Sequence, residues 1–251
     1  MASFGKSDDL RAAEFVDTDL RGSRFLRADL AGTVMRGVDL ENAEIEAPWL
    51  FDGDSVLRIN GVDVTPLVDA ELDRLFPGRS LRRADDPEGL REAWAAVEHT
   101  WAATLERAAA MPAGSVDVRV AEEWSFAETL RHLVMATDIW FGIGILGLEA
   151  KEAHHPIGVP NYEHEPDGND MSVFSTETPT YDEVLEARAG RVAMVREFID
   201  AATPDLLAAE RRNPHAPEHA VTVLSCLHVI LNEQWEHHRF AVRDLDAIER
   251  T

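Results

Sequence analysis

The chain has 251 residues, 45% of them hydrophobic, enough to bury one large core or two smaller ones; this argues against disorder and favours two domains. A formal net charge of −23 repels nucleic-acid phosphates and anionic lipid, and no basic cluster overrides that field, so no direct nucleic-acid or membrane partner is expected. There is no run of eighteen apolar residues and no basic-then-apolar leader, and the single cysteine, Cys226, rules out an internal disulfide framework, so a reducing, cytoplasmic setting is expected.

The amino-terminal stretch repeats every five residues. Leu10, Phe15, Leu20, Phe25, Leu30, Met35, Leu40 and Ile45 are large and apolar, a spacing that fits neither a helix nor a strand. Two positions earlier the side chain is small at Ala13, Thr18, Ser23, Ala28, Thr33 and Ala43, with Val38 the exception, which suits a chain coiling around a narrow axis. Residues 8–47, with Asp-Leu pairs at 9/10, 19/20, 29/30 and 39/40, resemble the pentapeptide repeats. The resemblance implies a short right-handed quadrilateral β-helix of roughly two coils, placed here in a domain of residues 1–53. Such a module is read as a surface for docking a protein partner or for self-association.

The next segment, 54–86, is read as a β-hairpin and a connection. Two β-prone runs, 56–59 and 62–65, flank Asn60-Gly61, a strong hairpin signal. A short helix over 66–76 follows, and then a Pro-, Gly- and Arg-rich linker over 77–87.

Residues 87–251 predict an all-α unit of four long helices. The first spans about 87–111 and opens on Asp-Pro; the second starts at Ser125, where Ser125 and Glu128 form a capping box, and runs to about Leu146. The third covers about 181–202 with an apolar stripe that includes Val184, Val192 and Val195. The fourth covers about 217–249, and the connection of over thirty residues before the third is too long for a simple helical hairpin.

Candidate chemistry lies on the second and fourth helices. Glu233 and His237 project from one helix face, about 6 Å apart along the axis, flanked by Val229, Ile230, Phe240 and Ala241. His228, Asn232, Glu236 and Arg239 form another face that reads as solvated. A carboxylate beside an imidazole is costly to bury unless paired or metal-bound, and His132, within the apolar run of the second helix, offers a third ligand across the helices. Two histidines and a carboxylate leave an open coordination position. The plainer reading is an ordinary i, i+4 surface pair worth a few tenths of a kcal/mol. Gln234 with His238 makes a geometrically equal but chemically poorer clip, and Glu128 reads more simply as the cap. His154, His155 and His164 fall in the long connection and read as exposed, or as part of a lid. Cys226 reads as a buried small hydrophobe.

The stretches 124–140 and 232–245 are similar to the DinB family of four-helix bundles, a resemblance covering about 88–249. It implies a divalent metal, zinc or nickel, held by His132, Glu233 and His237; glutamate at 233 departs from the commoner three-histidine set and resembles the mycothiol-dependent isomerase branch. It also implies a cofactor thiol, mycothiol or another small thiol, that loses its proton on the metal and attacks a small electrophile. No second general base is visible. Two functional expectations follow: a metal- and thiol-dependent transferase or isomerase, and a noncatalytic adaptor whose repeats contact a protein while any metal is structural.

Overall fold

The computed structural model describes residues 4–5, 8–51, 53–159 and 171–250, and the chain divides into two units, Met1–Glu46 and Ala47–Thr251.

In the first unit the five-residue period is written into the backbone. Every fifth residue from Ala12 to Asn42 has a positive φ, with glycine at 22, 32 and 37 and Ala12, Asp17, Arg27 and Asn42 at the other corners. At alternate corners a bonded turn closes, from the amide of Ala13 to the carbonyl of Leu10 (3.0 Å), and likewise at 20/23, 30/33 and 40/43. The recurring aspartates have a local job: Asp9, Asp19, Asp29 and Asp39 each accept the amide two residues on, at 2.9–3.1 Å. The corners of the expected coil are therefore present. No strand is formed among the described residues of this unit, however, and the large side chains of the five-residue period stay exposed, from 41% at Leu20 to 59% at Phe25.

The second unit starts with a 3-10 turn, Pro48–Phe51, and a hairpin of β1 (Arg58–Ile59) and β2 (Val62–Asp63). Asn60 and Gly61 turn it at φ of 51° and 82°, the left-handed pair that twists a two-residue hairpin correctly. Helix α1 (Thr65–Leu75) leads into a 3-10 helix, Arg79–Arg83. The expected linker is packed structure: Arg79 and Arg82 are 2% and 4% exposed, and Arg79 pairs with Asp69 at 2.8 Å and Asp73 at 2.6 Å. Two aspartates on α1 thus neutralise the arginines and let the segment close over the helices.

Helices form the core of this unit among the described residues. Helix α2 (Pro87–Ala110) is capped by Asp86, whose carboxylate accepts the amides of Glu88 and Gly89. Helix α3 (Phe126–Thr137) opens with the Ser125–Glu128 capping box and continues as a π-helix, Asp138–Ile145. There Gly142 admits α4 (Ala150–Ala153): a Cβ at 142 would sit 2.9 Å from that of Ala153. Helix α5 (Tyr181–Asp200) has its own box, Thr180 with Glu183. After α6 (Pro204–Ala208), strands β3 (Glu210–Arg212) and β4 (Ala220–Thr222) pair antiparallel before α7 (Val223–Glu249).

The last helix starts six residues later than the sequence suggests. The β-branched Val221 and Thr222 join the hairpin, and the Thr222 hydroxyl accepts the Ser225 amide as the cap. Helix α2 packs on α5 and α7, and α3 packs on the same two. Leu90, Trp94, Leu130, Leu133, Val195, Ile199, Leu227 and Leu231 fill the space between them. The α7 face expected in solvent is covered by the 3-10 segment: His228 Nε2–H donates to the Ala84 carbonyl at 2.7 Å, and Glu236 lies 3.9 Å from Arg79.

Candidate metal centre

His132 stands on the second turn of α3, and Glu233 and His237 one turn apart on α7; the contact between these helices brings the three side chains together. One ligand atom from each lies within 4.8 Å of the others, the one such group of three or more His, Cys, Asp or Glu among the described residues. His132 is 2% exposed, and the Glu233 and His237 side chains are each 13% exposed.

The hydrogen bonds fix which nitrogens are available. His132 Nδ1–H donates to the Val159 carbonyl at 3.3 Å, and His237 Nδ1–H donates to the Glu233 main-chain carbonyl at 3.0 Å. In that tautomer both Nε2 atoms are lone pairs. His132 Nε2 then faces Glu233 Oε2 at 3.4 Å, a lone pair against a carboxylate. Only a proton or a cation makes that arrangement favourable. Two ligands at zinc-like bond lengths of about 2.0–2.1 Å in a tetrahedron stand about 3.4 Å apart, so the spacing fits a metal ion.

Burial pushes the Glu233 carboxyl upward, but its interactions with His132 and His237 outweigh it and hold the group below the ordinary carboxylate range. Burial, helped by the charge of His132, takes His237 down to about 4. At neutral pH the pair is therefore carboxylate and neutral imidazole, the forms that bind a cation. Trp124 covers the histidines, with ring centroids 4.7 Å from His132 and 6.3 Å from His237.

The other candidates separate cleanly. His238 turns away from the triad: its Nε2 lies 2.8 Å from Thr104 Oγ1 on α2, among the rings of Phe76, Trp101 and Trp235. Gln234, its proposed clip partner, is 1% exposed and bonds Arg188 instead. Glu128 serves the cap and an ion pair with Arg119. His154 is 6% exposed rather than solvated, because α4 presses it against Phe174; His164 lies outside the described residues. Cys226 is fully buried, and burial raises its thiol to about 11.

Sequence reasoning missed Arg188 and the Val159 carbonyl. Arg188 had a visible signal, since it interrupts the apolar stripe Val184, Val192 and Val195 at helical spacing. The carbonyl had none.

The family model described as the DinB superfamily matches residues 96–241, and that of pentapeptide repeats matches eight copies over residues 9–46. No curated protein and no solved structure matches the chain.

Proposed function

The chain belongs to the DinB superfamily, and on that premise we propose that a four-helix bundle over 87–251 binds one divalent metal ion, zinc or nickel, through His132, Glu233 and His237. Residues 1–53 then act as the repeat domain, a short β-helix, and 54–86 as its hairpin and connection. The observation that carries the reading is the 3.4 Å approach of the His132 lone pair to the Glu233 carboxylate, which a metal ion reconciles.

Three protein ligands leave room for an exogenous one, and the metal would supply the Lewis acidity that deprotonates a small thiol such as mycothiol near neutral pH. The chain's own residues do the rest. Val159 holds the His132 ring, the Glu233 backbone holds the His237 ring, and Trp124 shields both from water. The reaction class is thiol S-transfer to, or isomerisation of, a small electrophile.

Metal analysis of the purified protein tests this reading: about one ion per chain in the wild type, and loss in His132→Ala and Glu233→Ala. A wild-type chain without stoichiometric metal overturns it. Thiol-dependent consumption of an electrophilic test substrate then establishes catalysis.

A second reading, a noncatalytic adaptor, is favoured by the repeat unit, where Phe15, Phe25 and Met35 are each more than half exposed. A metal with four protein ligands and no thiol-dependent turnover would select it.

A further inference from the structure

We infer that Arg188 is an anion-binding residue beside the metal triad, so that the ligand taken at this site carries a carboxylate. The inference rests on the metal-site reading for the ligand's second anchor, but not for the anion contact itself.

Arg188 is 4% exposed, deep between α2, α5 and α7. Its Nη2 donates to Gln234 Oε1 at 2.6 Å, and its guanidinium lies 4.9 Å over the Trp101 ring. Neither contact neutralises it, because an amide and an indole are uncharged. Its Nε and Nη1 have no hydrogen-bond partner among the described residues.

Arg79, equally buried, shows the contrast. It too has unpartnered nitrogens, but Asp69 and Asp73 stand at 2.8 and 2.6 Å and hold its charge. Among the described residues no carboxylate does this for Arg188; burial pulls it down to about 10, which still leaves a full cation at neutral pH. A buried cation with open donors and no counter-ion is destabilising unless something else completes it.

The position of Arg188 indicates what completes it. Gln234 follows Glu233 directly and precedes His237 by about one turn of α7, and the Arg188 charge is among the influences that depress His237. The guanidinium is therefore electrostatically coupled to the triad. Two turns earlier on the same α5 face, the buried Tyr181 hydroxyl also lacks a partner among the described residues. A ligand with a carboxylate at Arg188 would be anchored away from its reacting atom, the arrangement by which charge-assisted hydrogen bonds orient a substrate.

The test uses full-length protein with zinc added, acetate as the probe and acetamide as its neutral isostere. In protein labelled with nitrogen-15 at arginine, acetate shifts the Arg188 Nε–H resonance saturably and acetamide does not. Arg188→Met weakens acetate binding, followed on the Trp101 indole resonance, about 10–100-fold, the loss expected for charged hydrogen bonds, while zinc content stays unchanged. Without ligand, Arg188→Met also keeps or raises Tm, because it removes an uncompensated buried charge; an arginine with only a structural role would lower it. Equal response to acetate and acetamide, no response to either, or undiminished acetate binding in Arg188→Met overturns the inference. Arg188-dependent acetate binding in a chain that holds no zinc supports it while overturning the metal reading.

Discussion

Replacing Glu233 by glutamine separates the stability of the metal-free protein from the stability that metal confers. The carboxylate is mostly buried and faces the His132 lone pair at 3.4 Å. Glutamine keeps the shape and can donate its N–H to that lone pair, so the metal-free variant should melt at the wild-type temperature or above it. With metal the order reverses. Ligand at one hundred times its dissociation constant stabilises the folded state by about 2.7 kcal/mol, and a domain of this size shifts by about 2–4 °C per kcal/mol, so zinc should raise the wild-type Tm by about 5–11 °C. Glu233→Gln should lose most of that rise. Differential scanning fluorimetry with and without zinc, after chelator treatment, measures both quantities. A zinc-induced rise of wild-type size in the variant would refute the ligand role of Glu233, and a large drop in the metal-free Tm would refute the electrostatic account of its burial.

Other positions test the fold around the site. His238 has its Nε2 against Thr104 and its Nδ1 without a partner among the described residues, and burial lowers it to about 4 from an ordinary 6.5. Its folded pKa lies below its unfolded pKa, so the unfolded chain binds more protons between these values and stability falls as pH drops through that window, by up to about 1.4 kcal/mol per pH unit; urea unfolding of His238→Phe at pH 7 and 5 should show a smaller loss than wild type, and an unchanged loss would remove His238 as its source. Ser125→Ala breaks the capping box of α3 and should cost about 1 kcal/mol without changing metal stoichiometry, read by thermal melting and metal analysis. Gly78 has φ of 97°, and a Cβ there would meet that of Ala96 at 2.8 Å, so Gly78→Ala should cost about 1–3 kcal/mol. Gly61, also at positive φ but with nothing within 4 Å, should lose only the strain of about 1 kcal/mol when changed to alanine, and equal losses at the two positions would refute the steric part.

Features set by adjacent residues were legible in the sequence. The five-residue period reappears as a positive φ at every fifth position, and the Asn-Gly hairpin and the Ser125 box form where their residues stand. The triad was legible for a related reason: the i, i+4 pair on α7 needs only a helix, and His132 needs only the adjacent α3. Features set by distant partners were not. The sequence 77–87 reads as a linker until Asp69 and Asp73 are seen to neutralise Arg79 and Arg82. His154 reads as solvated until α4 packs on Gly142 and carries it inward. The start of α7 moved because strand pairing with β3 competes with helix propensity in a β-branched run, a contest that local pattern does not decide.

The same distinction explains how His132 is oriented. Its α-helix gives way at Asp138 to a π-helix, where the amide of Leu146 reaches back five residues to the Phe141 carbonyl at 2.9 Å. Asp138 is 3% exposed; burial raises its carboxyl despite the arginine beside it. It accepts the His155 amide and Arg191 Nε, both at 2.7 Å, and so ties the strand of chain after α4 to α3 and α5 together. Arg131 adds a bond from its Nε to the Ile157 carbonyl at 2.8 Å. Two residues further on, the Val159 carbonyl accepts His132 Nδ1–H and leaves Nε2 as the lone pair directed at Glu233. A main-chain carbonyl can only accept, so it favours the Nδ1–H form of the ring and orients it without adding charge to a site that already holds a buried carboxylate. The orientation of His132 therefore depends on a buried aspartate six residues further along the chain, through a loop whose sequence alone gives no sign of it.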